Sequence, residues 1–152
     1  MSRDLSRESP INVSGAAMRT NFTKLNDDWN AEPNAPHPFA RVDGAAVIFE
    51  FYANPWHFPH FADGQRLRLI FTNARRYRLG STNDEGWHMG QCRFSGLAPA
   101  WGEFYEVTGD AKLADIDDWC VVQPEQPPGR HFLFYLRDET FECEADDWQL
   151  ES

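Results

Sequence analysis

From Gln65 to Leu79 the chain repeats with a period of two, the spacing of a strand rather than a helix. Leu67, Leu69, Phe71, Asn73, Arg75, Tyr77 and Leu79 fall on one face. Arg66, Arg68, Ile70, Thr72, Ala74, Arg76 and Arg78 fall on the other. The run predicts one long strand or two joined by an interruption. Read as one, it places four arginines on a common face and turns Arg75 towards apolar neighbours. An unpaired guanidinium in that position costs several kcal/mol, so Arg75 requires a carboxylate or carbonyl partner. A bulge near Asn73 would reverse the faces for every residue beyond it.

The same period recurs along the chain between turn signals. Asp43-Gly44 predicts a tight hairpin between Phe39–Val42 and Ala45–Ala53. In the second of these strands Val47, Phe49 and Phe51 oppose Ile48, Glu50 and Tyr52, so both faces are expected to be at least half buried. Asp63-Gly64 turns the chain again. Further strands are expected at Trp87–Phe94, Gly102–Thr108 and, briefly, Asp117–Gln123. A hairpin of His131–Arg137 and Thr140–Ala145 about Asp138-Glu139 follows, with a terminal segment ending near Trp148.

Pro33, Pro36 and Pro38 exclude a helix and predict an extended lead-in, with Trp29 as an apolar peg holding it to the body. Residues 1–21 are polar and read as a flexible arm with a short helix beginning at Ser14–Met18. Residues 22–152 then form one domain. It is mainly β, or α+β with minor helices, and its antiparallel sheet is expected to curl into a sandwich or half-open barrel. The apolar content agrees, since it leans on 12 Phe, 6 Trp and 4 Tyr, residues that pack well on pleated surfaces.

Charge is unevenly spread. Residues 1–63 carry 5 basic and 8 acidic groups, residues 64–98 carry 6 and 2, and residues 99–152 carry 3 and 14. The acidic C-terminal third argues against nucleic acid, whose binding needs clustered cations. It permits a basic protein partner, against the plainer expectation of a solvated acidic surface that keeps the protein soluble. Three cysteines, Cys92, Cys120 and Cys143, show no close pairing and point to a reducing, cytoplasmic compartment. No apolar run of the ~18 residues needed for a membrane span is present.

The phrases STNDEGWHMGQCRFSGLAPAWGEFYEVTGD and HFLFYLRDETFECEADDW, about a third of the chain, resemble a group of small bacterial single-domain proteins without an assigned activity. The resemblance implies a bacterial, cytoplasmic origin and transfers no catalytic motif.

Four kinds of chemistry compete for the polar residues. His57-x-x-His60 could approach one metal ion with His88, Cys92 or Asp84, but four residues of strand separate His88 from Cys92 by roughly 13 Å. No metal and no cofactor are therefore expected. Cys92 or Ser95 could serve as a nucleophile, yet no G-x-S-x-G elbow is present. Asp84-Glu85 on a loop, with Glu103 close to Trp101 and Tyr105, offer carboxylates for acid–base work. Arg66, Arg68, Arg76 and Arg78 could capture an anion, against the plainer expectation that they pair with the surplus acids of the C-terminal hairpin.

Trp56, Trp87, Trp101 and Tyr105 sit on loops or at strand ends, where such side chains serve interfaces as well as cores. The leading expectation is a non-enzymatic binding module for a protein or a small polar or anionic ligand, acting through residues 75–105. Its candidate ligand-binding residues are Arg75, Arg76, Arg78, Asp84, Glu85, Trp87, Trp101, Glu103 and Tyr105, together with His57. The alternative is a small hydrolase or lyase using carboxylates or histidines in a barrel mouth. Nucleic acid and membrane are not expected partners, and oligomeric state is left open by the sequence.

Overall fold

Ten strands appear in the computed structural model, which describes residues 20–80, 94, 99–109 and 119–152. They are β1 (Thr20–Lys24), β2 (Phe39–Asp43), β3 (Ala46–Tyr52), β4 (Arg66–Thr72), β5 (Arg76–Gly80), β6 (Phe104–Gly109), β7 (Cys120–Val121), β8 (Arg130–Tyr135), β9 (Thr140–Ala145) and β10 (Asp147–Glu151). No helix occurs among the described residues. Two antiparallel sheets form, one ordered β1-β6-β8-β9-β5-β7 and the other β10-β4-β3-β2. They are not closed into a barrel, and the arrangement is sandwich-like. The short helix expected at Ser14–Met18 and the strand at Trp87–Phe94 lie outside the described residues, except for Phe94, a turn residue with φ 64°.

Alternation builds the core between the sheets. Val47, Phe49 and Phe51 of β3 and Leu67, Leu69 and Phe71 of β4 face Phe104, Phe132, Phe134, Phe141 and Cys143 of the larger sheet. Rings meet across the gap: Phe49 stacks on Phe141 at 4.1 Å, and Phe51 meets Phe134 edge-on at 5.3 Å. Trp29 closes one end of this core as the predicted peg, touching Phe51 and Trp148 of one sheet and Phe104 and Phe134 of the other. Its loop is pinned by buried Asn26, whose amide donates to the Trp29 carbonyl at 3.1 Å and accepts from the Phe104 N–H at 3.0 Å.

The Gln65–Leu79 run is interrupted, and the interruption sends its two halves to different sheets. Asn73 adopts φ 52°, a left-handed conformation that asparagine tolerates better than most residues. Its side chain is held by Asp146 at 2.7 Å and by Gln123 at 2.8 Å. The β9–β10 connection crosses at the same corner, with the Asp146 N–H donating to the Thr72 carbonyl at 2.9 Å. β4 therefore pairs with β10, while β5 pairs with β9. The single face of four arginines does not form, because Arg66 and Arg68 belong to one sheet and Arg76 and Arg78 to the other.

Both ends of the described chain add strands that composition did not indicate. Thr20 and Asn21, assigned to the arm by their polarity, pair with Gly109 and Thr108 as the start of β1. The terminal segment extends past Trp148 as β10, along the edge of the smaller sheet.

Candidate functional site

Each arginine of the predicted cluster has an internal partner. Arg75 is buried: its Nε donates to the Pro127 carbonyl at 2.8 Å, and its Nη1 donates to the Asn73 carbonyl at 2.6 Å and to Asp146 at 2.7 Å. This is the carboxylate-and-carbonyl cage that its position demanded. Arg76 donates to Glu144 at 2.7 Å and lies over the Trp119 ring at 4.1 Å. Arg78 donates to Glu142 at 3.0 Å. Arg66 and Arg68, on the smaller sheet, lie 3.4 Å from Glu50 and 3.3 Å from Glu151.

Register explains the pairing of Arg76 and Arg78. In antiparallel alignment Arg76 lies opposite Glu144 and Arg78 opposite Glu142 on the outer face of the larger sheet. His131 of β8 joins them, with Nε2 2.6 Å from Glu142 Oε1 and Nδ1 3.9 Å from Glu144 Oε2. His131 and Glu142 are fully buried side chains while Arg76 is 36% exposed, so the network runs from the interior of the sheet to its surface. Glu144 is held down to about 2, from an ordinary 4.5, by His131 and then by Arg76, while burial acts the other way. At 3.9 Å the imidazole is too far for a direct hydrogen bond, so the 2.7 Å bond from Arg76 is the firmer contact. The pairing expected with acids of the C-terminal hairpin is thus found for Arg76 and Arg78, while the place of His131 in it was not foreseen. The matching Arg-x-Arg and Glu-x-Glu spacings were the available signal.

A second apolar cluster lies on that outer face. Tyr105, Val107, Leu133, Tyr135 and Phe94 cluster there, with Phe22 and Trp101 packed against them. Tyr105 is thus a buried residue rather than a surface one, and its hydroxyl donates to the Ala100 carbonyl at 2.9 Å and accepts from the Ala100 N–H at 3.0 Å. Burial raises its pKa, against the Ala100 hydrogen bond and with a smaller contribution from Glu103.

Trp101 lies where this cluster meets solvent. It is half-buried, stacks on Tyr135 at 4.6 Å with 25° between the rings, and lines a cleft of about 550 Å³. Asn30, Glu32, Asn54, Arg137 and Asp138 contribute polar groups to the same cleft. Its walls are fixed by backbone. Ala31 bridges to Ala53, the Asn54 N–H donates to the Asn30 carbonyl at 3.0 Å, and the Glu32 N–H donates to the Tyr52 carbonyl at 2.8 Å. Glu103 supports this wall, accepting from Asn26 at 2.8 Å and Asn30 at 3.2 Å, with Lys24 3.8 Å from its other oxygen.

The loop after β3 continues from the cleft residue Asn54. The Asn54 side-chain oxygen accepts from the Trp56 and His57 N–H groups at 3.0 and 3.2 Å. Trp56 is 73% exposed, and His57 is exposed with its ring against Phe58 at 4.6 Å. Among the described residues no group of three or more His, Cys, Asp or Glu is arranged to hold a metal ion. Asp84, Glu85 and Trp87, with His88, Cys92 and Ser95, lie outside the described residues. Of the predicted residues, the structure thus gathers Trp101 and its support Glu103 at the cleft, and commits Arg75, Arg76, Arg78 and Tyr105 to internal contacts. Among the described residues no helix is long and apolar enough to cross a membrane. No protein-family model, no curated protein and no solved structure matches this chain.

Proposed function

We propose that the protein is a non-enzymatic binding module that holds a small polar ligand in the cleft beside Trp101. One observation carries this reading: a half-buried indole, backed by Tyr135, lines a concavity of about 550 Å³ in which Asn30, Glu32 and Asn54 are set on hydrogen-bonded backbone. That size falls in the range of about 300–1,000 Å³ usual for small-molecule sites. A wall fixed before the ligand arrives lowers the ordering cost of binding. Trp and Tyr supply apolar contact area, while Asn54 and Arg137 supply donors and Glu32 and Asp138 acceptors. The arginines of β5 do not enter into this reading, because their partners are carboxylates of the protein itself.

Saturation-transfer NMR against mixtures of small polar metabolites tests the proposal. At least one binder is expected, with affinity reduced about five-fold or more in Trp101→Ala and also reduced in Arg137→Ala, an exposed lining residue whose loss leaves the core intact. Binders that ignore both substitutions, in variants with unchanged thermal unfolding, would place recognition elsewhere.

A further inference from the structure

Resting on that reading of the cleft, we infer that its ligand carries an alkylammonium group, so that this is a site for an organic cation rather than for an anion. Attraction of an anion would need uncommitted guanidinium groups. Arg75, Arg76 and Arg78 instead each hold a carboxylate, on Asp146, Glu144 and Glu142. Within the cleft, two carboxylates, Glu32 and Asp138, stand against one guanidinium, Arg137. Arg137 Nη1 lies 3.3 Å from Asn34 Oδ1 and its Nε 3.8 Å from Asp138, so this pair offsets itself and the negative surplus rests on Glu32, whose Oε1 accepts from the Asn34 N–H at 2.6 Å.

The aromatic lining points the same way. The face of an indole attracts a cation through its quadrupole, more strongly than the face of any other side chain. A bare metal ion gains less from such a lining, since it prefers oxygen ligands in a closed shell. An alkylammonium ion suits both features: its methylenes lie on the ring and its three N–H donors reach carboxylate oxygens. The formal charge of −10 over the whole chain favours approach of a cation and opposes approach of an anion. Glu103, tied to Asn26, Asn30 and Lys24, holds the wall and is not counted among the groups that meet the ligand.

Four-carbon probes that differ only at their ends separate the possibilities: putrescine as the cation, 1,4-butanediol as the neutral form and succinate as the anion. Nα-acetyl-lysine amide adds the same ammonium group as it would be presented by a peptide. Binding is followed by tryptophan fluorescence and ligand-observed NMR on the full chain. Putrescine or the lysine amide is expected to bind, and whichever is tighter identifies a free amine or a peptide side chain as the source. Affinity should fall about five- to ten-fold in Trp101→Ala and by a similar factor in Glu32→Gln/Asp138→Asn, which alters only the rim. It should also weaken as salt rises.

Trp101-dependent binding of succinate or butanediol at equal or higher affinity than putrescine would overturn the charge assignment and leave the cleft reading standing. Failure of all four probes would also overturn it. The cleft reading itself falls only if the wider metabolite set yields no Trp101-dependent binder.

Discussion

Glu144 shows how much a single residue's behaviour depends on strand register. Its carboxyl is held at about 2, below an ordinary 4.5, so folding favours its ionised form. A depressed carboxyl pKa contributes stability that is fully present above the unfolded value and lost as pH falls towards the folded one. The urea midpoint is therefore expected to decline between about pH 4.5 and 2, and Glu144→Gln should flatten that decline. An unchanged slope in the variant would show that the Arg76 contact contributes nothing measurable. The need of Arg75 for a carboxylate or carbonyl partner was legible in the sequence, because alternation set it among apolar residues. The identities of Asp146 and Pro127 were not, since residues 71 and 52 positions away meet it only through tertiary structure. Tyr105 misled for a related reason: a position beside a loop does not reveal that a second apolar cluster buries the outer face of its sheet.

Among the elements, the corner at Asn73 decides the topology. Periodicity and turn signals located β3, β4, β6, β8 and β9 closely, β4 through its alternation of buried and less buried positions and the wholly buried β9 through the turn that joins it to β8. They could not show that the Gln65–Leu79 run divides between two sheets, because the residues on both sides of Asn73 have the same strand-like pattern. The positive φ of Asn73 and its bonds to Asp146 and Gln123 are what turn the chain. Glycine accepts this backbone conformation freely, and alanine pays about 1 kcal/mol or more for it. Asn73→Gly is expected to be less stable than the native protein through loss of both side-chain bonds. Asn73→Ala should lie about a further 1 kcal/mol below Asn73→Gly by urea unfolding. Alanine equal to glycine would mean that the corner relaxes out of the left-handed conformation. β1 and β10 were hard to foresee for another reason: edge strands are short and exposed on one side, so their polar residues resemble those of a tail.

At the level of the whole molecule, an aromatic composition becomes a sandwich because large rings from two sheets fill one layer, and the cleft opens where that layer ends. Trp29 links the two. Its ring touches both sheets, while the loop that carries it leads directly into Asn30 and Glu32 of the cleft wall. Removing the ring should therefore act on stability and on binding together. Trp29→Ala is expected to cost about 3–5 kcal/mol, as for other large aromatic truncations in cores. Trp56→Ala, which removes an indole of similar size from an exposed loop, should stay within about 0.5 kcal/mol. Equilibrium urea unfolding measures the difference directly. Trp29→Phe, which keeps an aromatic ring in the core, should recover much of the lost stability while leaving part of the space vacant beneath the cleft wall. If it also recovers ligand affinity in proportion, the core supports the site by holding its wall in place. Full stability with lost affinity would instead require the indole itself to shape the cleft.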